Sequence, residues 1–436
     1  MIQLQKNKHK ESTIMNIEIR YKNSTIYTVP VSVEHDSRFF DFINNSDQWQ
    51  PLKQEKLKIN YLFNYAANIA NNSNTCIIFE HTNPEELPIY MFEKELNLNE
   101  SPVVSEIRLV YFGTGVAFIE LHILYGSLSV DDIIEFAYLF KKATKADGKA
   151  YNLGDKISLF SALKRILPPD KSGTKLFFAN TADFKFQALS FHLLLIDDTE
   201  FDEARLSETI FLLKRSYNHD FIYDANADKS KYDMTYKPFD YTHWGGCQEG
   251  IVCISKLTGN QKTDSFITSY QYDHLTNDYR FMYLLLLNQR YSAIKYINQI
   301  AIADDKKSVE ELNHKIIDLK TKYTFHVISD EMIYQNVYSQ MYSIMEIDKL
   351  HCDIEENGDK LTAIQNEGAA KSEKTTERLL LAISLFSIFS AMIDSASFFD
   401  RIPIIAIQKW STLLSFVITI LIGIYYFYNK MKNLKK

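Results

Sequence analysis

The chain has 436 residues, a formal net charge of −7, and 46% hydrophobic residues. That length suits two or three domains with real cores, and 13 glycines and 9 prolines are too few for a disordered chain. With no broad basic tract in the first 370 residues, the acidic balance excludes non-specific duplex binding as the main role but leaves room for a small anionic ligand.

In chain order, the polar start MIQLQKNKHKESTIMN has no apolar signal core. NIEIRYKN and STIYTVPV alternate like strands, KLKINYLFNYAANIANN has helical apolar spacing, and TCIIFEH and LPIYMFEK are strand-like. SEIRLVYFGTGVAFIELHILY predicts two long strands around Gly113-Thr114-Gly115, read as a hairpin because no helix or Lys-Ser/Thr follows as in a phosphate loop. Ser129 with Asp131 and Asp132 predicts the N-terminus of the helix SVDDIIEFAYLFKK. DKISLFSALKRIL is a helix stopped at Pro168-Pro169, FKFQALSFHLLLID a buried strand, and DEARLSETIFLLKRSY a helix. HWGGCQEGIVCIS turns into a short strand. Cys76, Cys247, Cys253 and Cys352 lack zinc-site spacing, and free thiols fit a cytoplasmic location for this part.

From Thr276 the pattern is helical. NDYRFMYLLLLNQRYSAIKYINQIAIA and SVEELNHKIIDLKTKYTFHVI predict two helices. A third is expected from Ser329 onward, with an apolar stripe through Ile333, Val337, Met341, Ile344, Ile347, Ile354, Leu361 and Ile364, running into the apolar stretch that follows. Leu379 to Phe399 carries Asp394 as its one charge, and Trp410 to Tyr428 carries none, so each is expected to cross a bilayer. The tail lysines Lys430, Lys432, Lys435 and Lys436 place both ends on the cytoplasmic side of a multi-pass protein in the bacterial inner membrane.

The expected fold class is an α+β cytoplasmic domain followed by a long stalk helix and a C-terminal two-helix transmembrane hairpin. Its segments are a sensor domain over 1–275, a helical region and stalk over 276–378, membrane helices over 379–399 and 410–428, an external loop over 400–409, and a basic tail over 429–436. This order of segments, together with YLLLLNQRYSAIKYINQIA ahead of the stalk, resembles the CorA-like metal-ion channels. The outer end of the first span reads SAMIDSASFFDRIP and lacks the family's Gly-Met-Asn, a departure similar to the CorA-like membrane effectors of type III CRISPR systems. The resemblance implies a homopentamer gated by a nucleotide second messenger. A divalent cation transporter and a membrane-anchored binding protein without a pore are the alternatives.

At ~100° per residue, Ser384, Ser387, Ser390, Asp394 and Ser397 share one face of the first span. They are the expected pore lining, with Asp394 forming a ring that attracts a permeant divalent cation. The opposing reading has the serines bonding back to their own helix. For a nucleotide-derived activator, the candidate cations are Lys141, Lys142 and Lys145 at the end of the Ser129-capped helix. Other basic groups are Lys164-Arg165, Lys214-Arg215 and Arg108. No nucleophile elbow, His-Glu-x-x-His or Walker sequence occurs, so no enzyme and no covalently bound cofactor is expected.

Overall fold

Ser24–Val33 (β1), STIYTVPVSV, is buried along its whole length. Such a strand belongs at the centre of a sheet covered on both faces. The computed structural model describes residues 23–396 apart from 53–57, 88–97, 99, 144–158, 178–187, 198–200, 225–232 and 304–305. It divides into two compact units, Met1–Gly358 and Asp359–Lys436.

The first unit is built on a ten-stranded mixed sheet. The further strands are Trp49–Pro51 (β2), Cys76–His81 (β3), Val103–Phe112 (β4), Val116–Leu124 (β5), Thr174–Leu176 (β6), Leu189–Asp197 (β7), Met234–Phe239 (β8), Thr242–Cys247 (β9) and Gly250–Leu257 (β10). Their order is β2-β3-β4-β5-β1-β7-β10-β9-β8, with β6 added beside β1. Only the β7–β10 pair is parallel among the described strands. On one side β1 pairs with β5 from Ser24 to Ser32. On the other it pairs with β7 over Ser24–Thr28 and with β6 over Val31–Val33. Pro30, which has no N–H for a ladder, falls at this change of partner.

Side chains alternate across the sheet. Ala117, Ile119, Leu121 and Ile123 join Tyr27, Val29 and Val31 in a core closed by Phe39, Ile133, Phe136, Phe140, Leu163 and Leu213 from flanking helices. Phe118 and Glu120 point to the other face, where the helix Arg280–Ile302 lies. Glu120 and Arg280 form a buried bidentate pair, Nε donating to Oε1 at 2.9 Å and a terminal nitrogen to Oε2 at 2.6 Å. Burial pulls the Arg280 guanidinium down, and the Glu120 charge and hydrogen bonds more than offset it, so its pKa rises. Further along the helix, Lys295 donates to the carbonyls of Val33 and Gly115, each at 2.8 Å. Burial lowers the Lys295 pKa to about 8. Gly115 has φ +76, which a side chain would strain, and a Cβ there would lie 2.8 Å from the Lys295 ammonium.

The structure corrects the expected fold class. The sheet domain does not end near residue 275: the Arg280–Ile302 helix is one of its layers. The expected stalk is broken, because Met332–Ile344 stops before Glu346, whose φ is 54, and Ile347–Ala396 begins a second helix. Val337, Met341, Ile344, Ile347 and Ile354 are buried in the first unit, so that part of the stripe is core. Among the described residues no helix is long and apolar enough to cross a membrane. The Ile347–Ala396 helix is charged over most of its length, and its apolar end is interrupted by Ser384, Ser387, Ser390 and Asp394. The transmembrane hairpin and multi-pass location therefore lack their first element. The stretches 400–409, 410–428 and 429–436 lie outside the described residues.

Two outcomes follow for stability. Removing one partner of a buried pair leaves an uncompensated charge, so Arg280→Met should cost about 3–5 kcal/mol in urea unfolding, and adding Glu120→Met should recover much of it. His192, fully buried on β7 and bonded through Nδ1 to Thr25 Oγ1 at 2.7 Å, is pushed down to about 3 by burial. The unfolded chain takes up this proton below about pH 6.5 and the folded chain only near about pH 3, so stability falls as pH falls between them. His192→Asn should flatten that acid limb by up to about 1.4 kcal/mol per pH unit. An unchanged slope in pH-dependent unfolding would refute the assignment.

Candidate functional site

The helical run before Arg280 contains two π turns, Phe266–Gln271 and Leu275–Tyr279. Each widens the helix locally, a distortion that recurs at functional sites. Phe266, Tyr270, Gln271, His274, Leu275 and Tyr279 from this run line one side of a cavity of about 300 Å³. The β8–β9 hairpin supplies Pro238, Phe239, Thr242 and Trp244. Tyr61 comes from the loop before the helix Asn64–Asn71, and Glu331, Ile333 and Tyr334 from the start of Met332–Ile344. Trp244 and Tyr279 are buried at the floor, while Phe239, Phe266 and Tyr270 are exposed at the rim.

One carboxylate assembles these segments. Asp278, with no exposed surface, accepts through Oδ1 from the backbone N–H groups of Asn60 at 2.9 Å and Tyr61 at 3.1 Å. Its Oδ2 is 2.9 Å from His274 Nδ1. The Ser329 hydroxyl donates to the Tyr61 carbonyl at 2.6 Å and closes the loop from the other side. Tyr61 thereby stacks on Tyr334, with ring centres 5.3 Å apart and planes within 9°, and Tyr334 stacks in turn on Tyr279 at 4.4 Å. His274 stands edge-on to Tyr61 at 4.6 Å, and the Tyr61 and Tyr270 hydroxyls are hydrogen-bonded. Burial raises the Tyr334 pKa, and the nearby Asp278 carboxylate, the phenols and Glu331 raise it further, so the ring stays a neutral phenol.

The residues singled out from the sequence are placed elsewhere. Lys141 donates to Glu249 Oε2 at 2.7 Å and to the Arg215 carbonyl at 2.6 Å, and lies over the Tyr217 ring. Arg215 pairs with Asp233 at 2.6 Å, and Lys214 approaches the same carboxylate at 3.4 Å. The carboxylates of the adjoining cleft of about 370 Å³ already hold their cations, Asp233 with Arg215 and Lys214, Glu249 with Lys141 and Glu346 with Lys349. The Lys142 side chain and all of Lys145 lie outside the described residues. Lys164 and Arg165 are exposed at a helix end, and Arg108 is paired with Glu106. Ser384 and Ser387 donate to the carbonyls of Leu380 and Ile383 at 2.8 and 3.0 Å, the back-bonded arrangement of serine in a helix. Ser390 and Asp394 lie within the Ile347–Ala396 helix, but their side chains, like all of Ser397, lie outside the described residues. Among the described residues no cluster of His, Cys, Asp or Glu is suited to hold a metal ion.

The aromatic cavity was not among the sites expected from the sequence. Its signals were the 27 tyrosines and the i,i+4 pair His274 and Asp278 in a tyrosine-rich run. Comparison with protein-family models, with curated proteins and with solved structures finds no match for this chain. Asp278→Asn, which weakens three hydrogen bonds to one buried carboxylate, should cost about 1.5–3 kcal/mol. Hydrogen exchange at the Asn60 and Tyr61 amides should rise more than exchange in β1, whereas uniform loosening would show that Asp278 does not hold this loop.

Proposed function

We propose that this chain is a small-molecule-binding protein whose ligand enters the cavity between Tyr61, Trp244, His274 and Tyr334. The observation that carries this reading is the aromatic lining itself. Three of the five exposed aromatic side chains among the described residues, Phe239, Phe266 and Tyr270, converge on one concavity above a buried indole. An opening of about 300 Å³ with stacking faces and few polar groups is at the small end of ligand sites.

The channel and transporter readings require membrane-crossing helices, which the described residues do not contain. A nucleotide-derived activator has partial support. A base would find rings to stack on, but its phosphates would meet Glu331 and no lysine or arginine among the described lining residues. The binding role belongs to the first unit alone and needs no pore.

Trp244 at the floor is a built-in reporter. Titration of the full chain with phenol, adenosine and tetramethylammonium should change its emission for at least one probe. Tyr334→Ala, which removes the central ring of the stack, should weaken that binding at least tenfold by calorimetry while the thermal transition persists. A probe that binds equally well to Tyr334→Ala, or no response to any of the three, would overturn the assignment.

A further inference from the structure

Resting on that ligand site, we infer that its occupant is a small organic cation, an alkylated ammonium held over the ring faces that the Tyr61–Tyr334–Tyr279 stack leaves open, those of the exposed Phe266 and Tyr270. Three observations converge. Among the described lining residues Glu331 is the one acidic group, and no lysine or arginine accompanies it. Asp278 lies buried directly behind the wall. Because His274 is bonded to Asp278, the pair is neutral when the imidazole is protonated and negative when it is not. In neither state does it supply net positive charge.

The ring faces add to this field. Aromatic faces carry negative quadrupole density and attract a cation within about 6 Å of the ring centre, most strongly where water is excluded. Tyr334 already shares its two sides with Tyr61 and Tyr279, at 5.3 and 4.4 Å, so the remaining space lies beside a stack of rings rather than between separated plates. That shape suits a compact, rounded group better than a flat base needing an open slot. Glu331, at the start of the Met332–Ile344 helix, would sit opposite the bound charge as its counter-ion. A phosphate or carboxylate ligand would meet Glu331 with no described lysine or arginine in the lining to compensate.

The test compares choline with its neutral isostere 3,3-dimethyl-1-butanol by calorimetry on the full chain. The two share a shape and differ by one positive charge. Choline should bind at least about tenfold more tightly, a preference worth about 1.4 kcal/mol. Tyr270→Phe should keep that preference, because the π face remains. Tyr270→Leu should remove it while keeping apolar contact. Glu331→Gln should weaken choline several-fold and leave the isostere unchanged, with circular dichroism verifying that each variant is folded. Equal affinity for the two compounds, or binding of adenosine or phenol alone with the same sensitivity to Tyr270→Leu, would overturn the cation assignment and leave the ligand site standing. Absence of binding by every probe would overturn both.

Discussion

The Arg280–Glu120 pair sets how the helix Arg280–Ile302 sits on the sheet. Glu120 stands on β5, the strand beside the buried centre of the sheet, and Arg280 opens the longest helix of the second face. Two buried hydrogen bonds between them fix both the depth and the rotation of that helix. Well-packed apolar contacts often match a buried ion pair in stability, but a bidentate pair tolerates little rotation, so its value here is orientation. Asp278 lies two residues earlier, on the π turn that Arg280 follows. One short segment therefore ties the helical layer to the sheet through Arg280 and the aromatic cavity to its outer loop through Asp278.

Much of the secondary structure is legible in the sequence because the patterns are local. The alternation around Gly113-Thr114-Gly115 does give the hairpin β4–β5. Ser129 and Asp132 do cap the following helix, each side chain bonding the other's backbone N–H. Asp202 likewise caps the helix Glu203–Arg215 through the Arg205 amide. The architecture was harder to read. An apolar stripe at helical spacing looks the same whether it faces a partner subunit or its own sheet, so Val337 and Met341 read as a stalk and proved to be core. The break at Glu346 has no glycine or proline to mark it.

The site was less legible still, for a related reason. Charge is conspicuous in a sequence, and Lys141 stood out, yet its neutralising partner Glu249 is more than a hundred residues away and becomes visible only in the fold. Tyrosines, by contrast, are spread through this chain and single out no position. What distinguishes Tyr61 from the others is that Asp278 and Ser329 hold its backbone against Tyr334. That is a property of three distant segments brought together, and no spacing rule contains it.

The wiring of β1 has a consequence for how the protein is made. The strand emerges early from the ribosome, but its partners arrive as residues 116–124, then 174–176, then 189–193. The face carrying Phe118 and Glu120 stays uncovered until the chain has been synthesised past Arg280. Half-made chains thus expose an apolar sheet face in which Glu120 still lacks its Arg280 partner. Contacts so distant in sequence slow folding and prolong the period in which unpaired strands are vulnerable to association.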